Sequence, residues 1–143
     1  ILPCPVSPLK VHLSVNSNIG VLKLYPGITS QAVKAITHSP VDAIVMESFG
    51  AGNTTTASWF IACLQDALDE GKVIIDITQC QQGSVELGMY ETSKKLQQIG
   101  IVSGYDMTFE AAITKLMHLM GQGLARTEVM KLMEQSLRGE LTA

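Results

Sequence analysis

At 143 residues, with 10 Lys and Arg against 13 Asp and Glu, a formal net charge of -3 and no basic run, the chain offers no source for the counterion release that drives nucleic-acid binding. No apolar stretch approaches the ~20 residues of a membrane-spanning helix, and no charged and then apolar leader opens the chain, so neither nucleic acid nor membrane is an expected partner. The length fits one domain that buries about two thirds of its unfolded surface. Cys4, Cys63 and Cys80, an odd number without CxxC spacing, suit reduced thiols in a cytoplasm better than disulfides or zinc. The chain opens at Ile1 with ILPCPVSPLK rather than with Met, and so reads as a piece of something longer.

Residues 1 to 20 carry Pro3, Pro5 and Pro8 and then alternate Val11, Leu13 and Val15 with His12, Ser14 and Asn16. That pattern predicts a linker between domains leading into one exposed edge strand. From Gly20 the pattern changes to short β-branched runs separated by amphipathic segments. In order they are VLKL, a helix after ITSQ, VDAIVM, a helix from about Thr56, VIIDIT, a helix within YETSKKLQQIG, and IVSG. Continuous apolar strands alternating with helices predict an α/β fold over residues 21 to 143, with a small, mostly parallel sheet of about four strands covered by helices on both faces, a Rossmann-like three-layer sandwich. Two more helices end the chain. Over residues 109 to 120, a 3.6-residue period gathers Phe109, Ala112, Ile113, Leu116, Met117, Leu119 and Met120 on one arc, with Thr114, Lys115 and His118 opposite. Thr108 is a candidate N-cap for this helix, and Thr127 for the next.

In an open parallel sheet, ligands sit beyond the carboxyl ends of the strands. Four loops leave those ends: YPGITS at 25 to 30, ESFGAGNTTT at 47 to 56, TQCQQG at 78 to 83 and SGYDMT at 103 to 108. Gly50, Ala51 and Gly52 supply the G-x-G half of a dinucleotide fingerprint, but Thr55 stands where the last glycine would fall, and no G-K-[ST] follows. Glycines that let the backbone turn and threonines that cap the helix explain the loop better than a phosphate site. Nucleophilic catalysis lacks a base within reach, because His12, His38 and His118 lie outside all four loops and read as solvated. Cys80 reads as a small buried residue at a strand end rather than as a nucleophile. Asp66, Asp69 and Glu70 fit the solvated side of a helix ending at Gly71, and no acid/base pair stands out.

Taken together, LYPGI at 24 to 28, VDAIVMESFGAGN at 41 to 53, TQCQQGSVELGMY at 78 to 90, GIVSGYDMTFEAAITKL at 100 to 116 and SLRGELT at 136 to 142 resemble the C-terminal domain of the cytoplasmic, type I L-asparaginases. The resemblance covers residues 21 to 142 almost without gaps. It implies an amidohydrolase that converts L-asparagine to L-aspartate and ammonia through a threonine nucleophile, with neither a metal nor an organic cofactor. The family's catalytic threonines, and the Asp and Lys that assist them, lie in a larger N-terminal domain with a Thr-Gly-Gly-Thr motif that this chain lacks. The chain alone is then expected to be silent and to contain no catalytic residue. In this family the C-terminal domain closes the neighbouring subunit's active site in a homodimer or a dimer of dimers. Asn53 matches the asparagine of GxGN that reaches across to the substrate's amino-acid end, and Tyr90 matches a second position facing the same site. An amide carries both donor and acceptor and can pair with an ammonium or a carboxylate.

Some bacterial members also bind asparagine at a regulatory site, whose residues Thr78 and Cys80 match. Those enzymes carry an arginine where this chain has Glu47, and a carboxylate repels the effector's carboxylate where arginine would attract it. Activation by asparagine is therefore not expected, unless Glu47 takes the effector's ammonium in a reversed pose. Trp59, on the polar side of its helix, suggests an interface; the alternative is a partly buried surface Trp. Two other readings stay open: a non-catalytic small-ligand-binding or regulatory α/β module, and the amidotransferase subunit of the same superfamily.

Overall fold

Four apolar runs become the strands of one parallel sheet: β1 (Ile19–Lys23), β2 (Ala43–Ser48), β3 (Val73–Thr78) and β4 (Val102–Ser103). This is seen in a computed structural model that describes residues 8 to 55 and 57 to 142; Pro3, Cys4, Pro5 and Thr56 lie outside them. The strands stand in sequence order across the sheet, with Ile19 opposite Ala43, Ala43 opposite Val73 and Ile75 opposite Val102. The helices are α1 (Ser30–Thr37), α2 (Ser58–Asp69), α3 (Glu91–Ile99), α4 (Phe109–Gly121) and α5 (Arg126–Met133).

The strand order explains the layering. Parallel crossovers share one hand, and a strand order that never reverses puts every crossover helix on the same face. Ile44, Met46 and Ile74 accordingly pack with Val33 of α1, Phe60 and Leu64 of α2 and Leu96 of α3. Alternate residues point the other way, and that face has no crossover to cover it. The helices after β4 close it, packing Leu116, Leu119, Val129 and Met133 onto Val45, Ile75 and Ile77. A sheet covered on both faces needs strands apolar throughout, and β3 is buried at every position. The expected three-layer α/β architecture is the one observed.

Three local expectations are corrected. No strand forms over Val11 to Asn16; the segment lies along α4, where Asn16 N–H donates to Met117 O (2.9 Å) and Gln122 Nε2 to Ser14 O (2.9 Å). No strand edge is offered there, so the alternation is read by solvent, and Leu9 and Leu13 stay 89% and 88% exposed. Thr127 does not cap α5, which starts two residues earlier behind Ala125, while Arg126 Nη1 donates to Leu68 O at the end of α2 (2.8 Å). Thr108 does cap α4, accepting from Ala111 N–H (3.2 Å). Lys115 is buried rather than outward, because the terminal SLRGELT stretch folds back over it. Its ammonium donates to Met133 O (3.0 Å) and Gln135 O (2.6 Å) and pairs with Glu140 (2.7 Å). Trp59 is partly buried, edge-on to Phe60 at 5.8 Å and packed on the core.

Candidate functional site

Where β2 ends, the chain doubles back on itself within five residues. Phe49 N–H donates to Asn53 O (2.9 Å) and Asn53 N–H to Phe49 O (2.8 Å), an isolated antiparallel bridge that closes residues 49 to 53. The turn demands positive φ at Gly50 (52°) and Gly52 (101°), a region that glycine enters without steric strain. Gly52 is also needed for space: a Cβ there would lie 3.1 Å from Val85 Cγ1 and 3.5 Å from Asp76 Oδ2. Two glycines thus let the loop lie flat on the strand ends and leave Asn53 exposed at its close.

The segment after β3 braces this loop. Gln79 Nε2 donates to Leu24 O (2.6 Å) and Glu47 O (2.8 Å), tying the ends of three strands together. Glu86 N–H donates to Ala51 O (3.3 Å), and Ser103 Oγ donates to Val85 O (2.6 Å). Ser93 Oγ accepts from Gly88 N–H (3.2 Å) and Tyr90 N–H (3.0 Å) at the start of α3. Tyr90 and Asn53 therefore belong to two loops joined through Glu86 and Ala51, both at the carboxyl edge of the sheet. The Tyr90 side chain is about half exposed. Beside them, a pocket of about 340 Å³ opens between the 25–28 loop and Phe49, Thr54, Thr55 and Trp59.

The candidate regulatory residues do not all meet. Thr78 and Cys80 do, with Thr78 Oγ1 accepting from Cys80 N–H (3.0 Å). Cys80 is exposed, which corrects the buried reading; the chain leaves the sheet after Thr78 and turns outward. Glu47 shares the parity of Val45, so it leaves the sheet on the α4/α5 face, while Thr78 shares the parity of Ile74 on the opposite face. Its carboxylate lies 3.4 Å from the Lys23 ammonium. His12 and His118, expected to be solvated separately, meet edge-on with ring centroids 5.2 Å apart over the groove beside α4. Among the described residues no group of three or more His, Cys, Asp or Glu side chains is gathered as a metal site would require.

Reading the sequence alone missed Asp76. It sits in β3 opposite Met46 and Ser103, on the face that carries Ser48 and Thr78, and is fully buried. Neither carboxylate oxygen has a hydrogen-bond partner. Two neighbouring hydroxyls donate elsewhere, Ser48 to Ile77 O (3.4 Å) and Ser103 to Val85 O. Burial pushes the Asp76 pKa up to about 7; the Ser48 hydroxyl and amide pull it the other way without closing a hydrogen bond of proper geometry. The signal that could have found it was there, a lone carboxylate inside VIIDIT, since a strand buried on both faces has no wet side on which to place it.

Four parallel strands covered by helices on both faces define the three-layer α/β class of protein. More narrowly, the chain belongs to the glutaminase/asparaginase C-terminal domain family, whose model matches residues 18–133. L-asparaginase 1 of Escherichia coli (strain K12) is 42% identical over 134 residues, covering 94% of this chain and 40% of that protein. The 60 kDa lysophospholipase of Mus musculus is 41% identical over 140 residues, covering 97% of this chain and 25% of that protein. Among solved structures, L-asparaginase I from Vibrio cholerae O1 biovar eltor str. N16961 matches with a TM-score of 0.90 at 39% identity, covering 97% of this chain and 42% of that one. The chain thus spans less than half the length of these relatives.

Proposed function

We propose that this domain works within a larger L-asparaginase that hydrolyses L-asparagine to L-aspartate and ammonia, with the threonine nucleophile supplied by an N-terminal domain outside this chain. Proteins named asparaginase and lysophospholipase match it almost equally well, so the site has to favour one substrate class. The observation that carries the reading is the bridged loop of residues 49 to 53, which places Asn53, an exposed residue, at the carboxyl edge of the sheet. An amide so held suits an amino acid, because its oxygen accepts from an ammonium while its nitrogen donates to a carboxylate. Tyr90, on the loop braced against the first, can direct its hydroxyl to the same end of the substrate.

In this reading Asn53 and Tyr90 complete the active site of a neighbouring subunit, and the protein is a cytoplasmic homodimer or dimer of dimers. The distribution of exposed apolar side chains supports it. Outside the N-terminal segment, the large exposed ones among the described residues are Val21, Tyr25, Phe49, Met89 and Tyr90, and four of the five stand on the site loops. Apolar and aromatic side chains gathered around exposed polar groups are what a buried interface core is made of. Activation by asparagine at Thr78 and Cys80 is not part of the reading, since Glu47 already has Lys23 as its partner and points to the other face of the sheet.

The test is ammonia release from L-asparagine by the full-length protein, by its Asn53→Ala variant and by the isolated 143-residue chain. Loss of a hydrogen bond to a charged group costs about 1.5 to 3 kcal/mol, so the variant is expected to be ten- to a hundredfold less efficient in kcat/KM. The isolated chain is expected to release none. An active full-length enzyme with an equally active variant removes Asn53 from the site; a full-length protein that makes no ammonia removes the asparaginase reading itself.

A further inference from the structure

A fully buried carboxyl group with neither oxygen bonded to another protein group is an expensive thing to keep in the middle of a core strand. Its location suggests a use. Asp76 Oδ2 lies directly beneath Gly52, 3.5 Å from where a Cβ would project, so the cover of the Asp76 pocket is the loop that ends at Asn53. We propose that Asp76 is a positioning residue: while its buried side chain carries no charge, the loop of residues 49 to 53 stays closed over it and Asn53 stays in place for the substrate. This rests on the reading of Asn53 as the substrate-contacting residue and adds to it what keeps that residue in place.

The physical argument concerns the alternative protonation state. The groups around the carboxyl are Met46 and Ser48 from β2, Ser103 from β4, Gly52 from the loop above, and Val85 from the segment after β3. None is charged. Cys80, Glu86 and Tyr105, the titratable side chains nearest along the chain on the flanking loops, supply no counter-charge; burial sets the upward direction of the shift, against the opposing pull of Ser48. An ionised Asp76 must therefore find water. The β2 and β4 neighbours are locked in the sheet ladder and cannot move aside, whereas residues 49 to 53 lie outside that ladder, with a long bond from Glu86 N–H to Ala51 O (3.3 Å) tying the loop to the next one. Lifting that loop is the least costly way to hydrate the carboxylate. Lifting it also withdraws Asn53.

The experiment uses the full-length protein and its Asp76→Asn variant, which is nearly isosteric and neutral at every pH. The first readout is amide exchange of residues 49 to 53, corrected for the intrinsic pH dependence of exchange, at about pH 6 and about pH 8. With ionisation centred near 7, the closed fraction falls about tenfold across that interval, and the loop's corrected exchange is expected to rise by a similar factor in the wild type and not in the variant. The second readout is KM for L-asparagine, which is expected to rise about tenfold over the same interval in the wild type with a much smaller change in kcat, and to stay level in the variant. Exchange that is independent of pH in the wild type, or a rise of equal size in both proteins, overturns the role of Asp76. An Asn53→Ala enzyme with unchanged KM instead overturns the reading of Asn53, and the exchange measurement still decides about Asp76.

Discussion

Asp76 carries a stability signature as well as a functional one. Its folded pKa, about 7, stands above the ordinary 3.8, so folding takes up a proton. The stability it contributes is complete below about pH 4 and is lost as pH rises through about 7. The difference amounts to roughly 4 kcal/mol at most. Asp76→Asn is therefore expected to match the wild type in urea denaturation near pH 4 and to be the more stable protein at about pH 8. A variant less stable at both would mean that the carboxylate has a partner after all. Asn53 and Asp76 also mark the limit of reading residues one at a time. Asn53 stood out through the resemblance of its loop to the family's GxGN; Asp76 looked like one polar letter in an apolar strand. That it sits under Gly52 depends on a contact between β3 and a loop more than twenty residues earlier.

At the scale of elements, the terminal SLRGELT stretch has no periodicity and no secondary structure, yet it is anchored. Glu140 accepts from Lys115 and from the N–H groups of Leu137 (2.9 Å) and Arg138 (2.5 Å), and Thr142 N–H donates to Asp106 (2.9 Å). Burial alone would raise the Glu140 pKa, but the Lys115 ammonium and those amides outweigh it and hold the carboxyl at about 2. A depressed folded pKa means stability that is present above about 4.5 and lost as pH falls towards 2, up to roughly 3 kcal/mol. Lys115→Met should leave Glu140 partly buried without its cation and lower stability by about 3 kcal/mol at neutral pH, read as a drop in the denaturation midpoint. The loss should shrink below about pH 4, where Glu140 is protonated in the variant. The helical period assigned Lys115 to the wet face of α4. The period itself was sound, since Leu116 and Leu119 are buried as expected, but a wheel cannot know that a later segment will cover its polar side. The edge strand failed for the complementary reason: alternation over Val11 to Val15 specifies a strand only when a neighbour offers its edge.

For the whole molecule, the parallel direction of the strands sends all four strand-ending loops to one rim, and that rim also holds Tyr25, Phe49, Met89 and Tyr90 as exposed apolar side chains. If the rim is the surface on which a second copy completes the site, one change there should damage both assembly and activity. Met89→Asp in the full-length protein is expected to shift sedimentation equilibrium towards the monomer and to reduce ammonia release in parallel, with stability of the isolated domain unchanged because the side chain is 59% exposed. A variant that stays fully assembled and active would place the interface elsewhere.

What the sequence determined by itself was the alternation of buried strands and amphipathic helices, hence the layered parallel sheet, and the loops at its carboxyl ends where GAGN and TQC stand. These follow from local periodicity and from the handedness of crossovers, which act over tens of residues and leave their mark in the order of residue types. Only the tertiary structure decided that Lys115 is inside, that Glu47 and Thr78 diverge, that Cys80 is outside, and that Asp76 lies unpartnered beneath Gly52. Each depends on which distant segment comes to rest against a given side chain, and burial, hydrogen bonding and pKa all change with that neighbour while the residue itself stays the same.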